Sequence, residues 1–206
     1  MPPVGLILGH SFVAGLAHSI ANANGVGLAS LQPQLVASAL KIDSHFEKVY
    51  LVGKRGARAE ELRGMFVQFM NNHNFPRIDF VVVDCGSNDI VHGTPVLDVA
   101  ATILVAVSDL LEEFNIRHVA VCSIIHRQAA LGGLSPQEFS DSAYRVNRLL
   151  INYTGRNADV SYHLHKGFWS TPVPAWSRDY IHPNSAHGRD RYKRSIKRAL
   201  LELKRL

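Results

Sequence analysis

The eight residues from Ile78 to Cys85 limit what this chain can become more than any other stretch. Phe80 is followed by three valines in a row, so neither alternating face of the segment is polar. A strand of that kind has to be covered on both sides, which is the situation of a parallel sheet with helices packed on each face. The remainder of the chain agrees. Apolar runs at Val4–Leu8, Phe46–Val52, His118–Ile125 and Val160–Leu164 read as four more strands. Between them, helical spacing of apolar residues covers 11–21, 31–42, 58–71, 96–114 and 136–153, with a last helix from Ser185 to Leu206. Ser135, just ahead of Pro136, is the expected cap of the fifth helix. This alternation predicts repeated βα units: a three-layer α/β/α sandwich around a five-stranded parallel sheet, of flavodoxin-like type.

A chain of 206 residues fits one domain spanning 1–206 and is long enough to bury a sizeable core. No internal repeat, low-complexity tract or interdomain linker interrupts it. No apolar run has the length of a membrane span, and the first residues enter a strand without a basic leader. Cys85 and Cys122 sit inside predicted strands, where a thiol behaves as a small hydrophobe. Two such residues make no disulfide framework and suit a reducing compartment. A cytoplasmic or nuclear protein is expected. The net charge of +5 is unevenly placed: residues 189–206 carry eight Lys/Arg against Asp190 and Glu202. The basic character therefore belongs to the last helix.

In open parallel sheets, ligands bind beyond the carboxyl ends of the strands. There the chain has residues 9–11, 53–56, 86–89, 126–134 and 166–182. Ser11 follows Gly9 at a strand-to-helix turn, where free backbone N–H groups favour developing negative charge; the same position suits an ordinary capping serine. Gly56 lies in a turn whose N–H can approach a substrate oxygen. Asn88 offers a side-chain amide after the central strand; the plainer alternative is an Asx turn, with Asp89 capping the next helix. Asp179 and His182 are three residues apart just before the last helix, so one turn can set the carboxylate beside the imidazole. A hydroxyl, an oriented imidazole and convergent N–H donors are what acyl transfer needs.

Gly9-His10-Ser11, Gly56, Gly86-Ser87-Asn88-Asp89 and Asp179-Tyr180-Ile181-His182 resemble, in order, the four signature blocks of the SGNH (GDSL-type) hydrolases. His182-Pro183-Asn184 and Gly188 continue that pattern. The resemblance implies the SGNH hydrolase fold and a serine esterase, acetylesterase or lipase that needs no cofactor or metal. The substrate would be a small-molecule acyl ester, hydrolysed through an acyl-serine intermediate. It further implies Ser11 as nucleophile, His182 as base and Asp179 as its partner, with the Ser11 N–H, Gly56 and Asn88 forming the oxyanion hole. The family's first block reads Gly-Asp-Ser, whereas this chain has His10, which changes the hydrogen bonding available around the nucleophile. The α/β-hydrolase pattern does not fit, because Val13 stands where G-x-S-x-G requires glycine. Gly9-His10-Ser11-Phe12 and Arg191-Tyr192-Lys193-Arg194-Ser195-Ile196 are also similar to esterase-like domains encoded in some animal retroelements. On that reading the chain is part of a longer polyprotein.

Three further groups bear on function. Phe168, Trp169 and Trp176, with Leu131 and Leu134, are candidates for core anchors or for the wall of an acyl pocket, and His10 lies beside that pocket. His163 and His165 share one face of a strand, but with His182 and His187 they lack the tight spacing of a metal site. The last helix buries a stripe through Tyr192, Ile196, Ala199, Leu200 and Leu203. Its remaining positions, Arg194, Lys197 and Arg198 among them, form either a solvated face or a nucleic-acid contact. An alternative to the esterase is thus a catalytically weak module that binds nucleic acid through this helix. Acyl transfer to an alcohol is a third option.

Overall fold

In a computed structural model of the protein, residues 1–127, 132–168 and 187–206 are described. Five strands, β1 (Val4–Gly9), β2 (Lys48–Gly53), β3 (Phe80–Asp84), β4 (His118–Cys122) and β5 (Val160–His163), form one sheet in the order β2-β1-β3-β4-β5. All four pairings are parallel. Seven α-helices accompany them: α1 (Ser11–Ala23), α2 (Pro33–Ala39), α3 (Leu62–Asn72), α4 (Ser87–Val91), α5 (Val96–Glu112), α6 (Pro136–Thr154) and α7 (Gly188–Leu203).

The three layers follow from side-chain alternation along the strands. Leu6, Leu8, Val81, Val83, Val119 and Val121 face α3, α5 and α6, where they meet Phe66, Ile103 and Val146. Ile7, Val49, Val82, Ala120 and Cys122 face the other way, onto Leu16, Val36, Ile196 and Leu200 of α1, α2 and α7. Every residue of β3 is buried: Phe80 to Val83 as their apolar run requires, and the charged Asp84 at the strand's end with them. Among the described residues, no helix is long and apolar enough to cross a membrane.

The sequence expectations differ from these elements mainly at their ends. Leu31–Ile42 shortens to α2, because Leu31 ends a preceding 3₁₀ turn and Lys41 is left-handed (φ 56°). Residues 59–61 form a 3₁₀ turn before α3. The last helix stops at Leu203, and its expected start at Ser185 lies outside the described residues. Helix α4 was not expected; five residues are too few to show a helical period. Ser135 does cap α6, accepting from the Glu138 N–H, while Glu138 closes the reciprocal bond.

Candidate active site

Strand order reverses between β1 and β3, the first two strands of the sheet to pair out of sequence, and the crevice beyond their carboxyl ends is where such sheets place ligands. Three strand ends are level there: Gly9 pairs with Gly53 on one side and with Asp84 on the other. The ladder continues one step further, with His10 N–H donating to Asp84 O (3.2 Å) and Lys54 N–H to Gly9 O (3.1 Å). The turns carrying Ser11, Gly56 and Asn88 therefore leave the sheet from one line.

Ser11 is the first residue of α1, not its cap. His10 is the cap: its Nδ1 accepts from the Phe12 N–H at 3.5 Å and lies 3.3 Å from Ser11 Oγ. The Ser11 hydroxyl is thus not spent on capping; its partner in the structure is His10 Nδ1, and Ser11 is half-buried. His10 itself is only 1% exposed. Its Nε2 sits 3.5 Å from Asp84 Oδ1 and 3.5 Å from Ser87 Oγ, so the ring lies beneath the turn that carries Ser11 and not in the wall of an open pocket. Because Nδ1 accepts from Phe12, the proton of a neutral ring belongs on Nε2, facing Asp84.

Asp84 is the hub of a polar cluster buried in an otherwise apolar layer. It is 2% exposed. Tyr192 donates its hydroxyl to Oδ2, and His165 Nε2 stands 3.6 Å from the same oxygen, an ion-pair distance longer than a hydrogen bond. Burial pushes the Asp84 carboxyl up, but the facing imidazoles of His10 and His165 outweigh it and hold the group well below the usual carboxylate range. Burial pushes the Tyr192 phenol far up, with Asp84 adding to the effect, so it stays a donor. The cluster runs on: His165 Nδ1 is 2.8 Å from Ser195 Oγ, which is 2.9 Å from His163 Nε2, and His163 Nδ1 reaches Glu202 at 3.0 Å. The two histidines that share a strand face thus share a serine. Among the described residues no group of His, Cys, Asp or Glu could hold a metal. Burial raises both Cys85 and Cys122 thiols well above their ordinary value, so neither supplies a thiolate.

On the opposite side of the crevice, left-handed Gly86 opens α4, and Asn88 sits in its first turn. Asn88 Nδ2 donates to Ala57 O at 2.8 Å, tying the amide to the turn that contains Gly56. Gly56 has φ +74°, and nothing lies within 4 Å of where a side chain would begin, so its backbone is open to the crevice. Asp89 neither caps α4 nor faces the site. Its carboxylate accepts from the Ala59 N–H at 3.1 Å, anchoring the 59–61 turn, and burial raises its pKa.

No protein-family model matches the sequence, and no curated protein matches it. Solved structures do. A candidate acylhydrolase from Bacteroides fragilis superposes with a TM-score of 0.67 over 99% of this chain and 91% of its own, at 18% identity. An acetyl esterase variant crystallised with acetate gives 0.64 over 98% of both chains at 16% identity. AlinE4, an SGNH-hydrolase family esterase, gives 0.58 over 98% and 97% at 14% identity. The fold is the SGNH-hydrolase fold.

Within the SGNH-hydrolase fold, Ser11, Gly56 and Asn88 follow the paired ends of β1, β2 and β3. Asp179, His182, Leu131, Trp169 and Trp176 lie outside the described residues. Phe168 is a core anchor, fully buried against the α7 side of the sheet, and Leu134 packs against the opposite core layer. On α7, Arg198 is paired with Glu202 at 2.6 Å and Lys197 donates to Lys41 O at 3.0 Å; Arg194 is exposed. Sequence reasoning missed Asp84 and Arg127, and it placed His165 on a strand face and Tyr192 in a buried stripe without their link to Asp84. The charge of Asp84 at the end of an apolar strand was the one available signal, since such a group is buried only with partners.

Proposed function

We propose that this chain is a serine esterase that hydrolyses a small-molecule acyl ester, an acetyl ester among the candidates. The observation that carries the reading is that a serine on the first turn of α1, an open glycine turn and a side-chain amide in α4 follow three level strand ends at the switch point of the sheet. Ser11 Oγ bonds to the ester carbonyl carbon as His182 takes its proton. The Ser11 N–H, the Gly56 N–H and Asn88 Nδ2 receive the oxyanion. His182, oriented by Asp179, returns the proton to the departing alcohol. It then deprotonates a water, which releases the acid and restores the Ser11 hydroxyl. The roles of His182 and Asp179 rest on the sequence pattern. The placement of Ser11 and Asn88 at neighbouring strand ends supports them, because the family's blocks presuppose that convergence.

Labelling with a fluorophosphonate, followed by mapping of the modified residue, tests the reading without presupposing the substrate. The label is expected on Ser11, and Ser11→Ala is expected to lose both the label and the turnover of 4-nitrophenyl acetate. A label on another residue, or undiminished turnover in Ser11→Ala, would overturn the assignment.

A further inference from the structure

A side-chain amide serves an oxyanion only if its nitrogen, and not its oxygen, points into the site. Asn88 has no intrinsic preference between the two. What decides the matter is Arg127, which follows the β4 segment and is 2% exposed, the largest side chain among those fully buried. Its Nη2 lies 3.4 Å from Asn88 Oδ1 and 3.0 Å from Ser87 Oγ. A guanidinium carries donors only, so the amide oxygen must face it. The nitrogen is thereby turned towards Ala57 O, which takes one of its two hydrogens. The same Ser87 hydroxyl that Arg127 holds is 3.5 Å from His10 Nε2, and His10 lies against Ser11. One buried cation thus braces both the amide and the nucleophile turn.

Packing alone is a weak reason for such a residue. The guanidinium stacks 5.0 Å from the Phe139 ring centre, but taking a charge out of water costs more than an apolar side chain of the same volume would. A fixed positive charge close behind the developing oxyanion is useful, because charges act strongly where water is excluded.

We propose that Arg127 is the positioning residue of the oxyanion site: it holds Asn88 with the amide N–H outward and couples that amide to the Ser11 turn. This rests on the reading of Ser11 as nucleophile and Asn88 as oxyanion donor.

The test compares Arg127→Met and Arg127→Lys in the wild-type and Asn88→Ala backgrounds. The probe is 4-nitrophenyl acetate hydrolysis, with fluorophosphonate labelling of Ser11 in parallel. In the wild-type background kcat should fall by about ten- to a hundredfold, less than the 10²–10³ typical of a directly lost donor, with KM within about twofold. In the Asn88→Ala background the same substitutions should lower kcat by a clearly smaller factor, because the amide they orient is gone and only the brace through Ser87 and His10 to the Ser11 turn is left to lose. Arg127→Lys keeps the stem and the charge, and it carries the comparison if the methionine variant does not fold. Equal losses in both backgrounds, or no loss in the wild type, would overturn the proposal while Ser11 labelling leaves the esterase reading standing. Failure of the wild-type protein to label at Ser11 overturns both.

Discussion

His10 shows how one side chain can serve a helix start and a buried carboxylate at the same position. Its Nδ1 caps α1 and touches the Ser11 hydroxyl, while its Nε2 faces a buried carboxylate. Replacing it by alanine removes a cap worth about 1 kcal/mol and strips Asp84 of one partner, at about 1–3 kcal/mol more. His10→Asn keeps an acceptor within reach of the Phe12 N–H and should therefore retain the cap's share, about 1 kcal/mol, while losing the Asp84 contact. Urea denaturation of the two variants and the parent checks this: equal midpoints for the two variants would mean that the cap does not contribute, and a parent no more stable than His10→Asn would mean the same of the Asp84 contact. The sequence shows that position 10 is histidine beside a serine, but not that a carboxylate 74 residues away lies under it. Arg127 is hidden for the same reason: its partners Ser87 and Asn88 are 40 and 39 positions distant, and a lone arginine after an apolar run reads as the start of a loop.

Elements are legible where periodicity is long and illegible where it is short. Five strands and the long helices announce themselves through unbroken apolar runs and 3.6-residue spacing, whereas α4 is over before one period repeats. What periodicity cannot show is how closely elements approach. The start of α1 rests on the end of β2 through Gly53, where a Cβ would stand 2.3 Å from Ala14 N and 2.7 Å from Ala14 Cα. Both are backbone atoms, so the helix and not a side chain must move. Gly53→Ala should therefore cost about 1–3 kcal/mol and, because α1 carries Ser11 on its first turn, slow fluorophosphonate labelling as well. Gly64 in α3 supplies the control: it is exposed, with nothing within 4 Å of a would-be Cβ. Gly64→Ala should stabilise by about 0.5–1 kcal/mol and leave labelling unchanged. A Gly53→Ala protein as stable and as reactive as the parent would show that the two elements are less tightly coupled than their spacing implies.

At the scale of the molecule, the polar groups enclosed by the two core layers set how stability depends on pH. His118 opens β4, is 5% exposed, and its Nε2 has no hydrogen-bond partner among the described residues. Burial lowers its pKa, and burial also lowers those of His126 and His163, the latter against the pull of Glu202. A histidine depressed in the folded state resists protonation that the unfolded chain accepts. As pH falls through the ordinary histidine value of about 6.5, the unfolded state binds more protons, so stability must fall with it. Asp84 has the same sign in a lower window: its depressed carboxyl adds stability above the ordinary aspartate value of about 3.9, and that contribution is lost only on further acidification. Asp89, raised by burial, opposes them, but only near the carboxylate range. Between pH 7 and 5 the histidines therefore dominate, and the urea midpoint should be lower at pH 5 than at pH 7. His118→Leu, which removes one of the three groups and fills an apolar environment, should flatten that slope without reducing stability at pH 7. A slope that is unchanged in the variant would mean that His118 is protonated as readily in the folded protein as in the unfolded chain, and that its burial beside β3 does not exclude the charge.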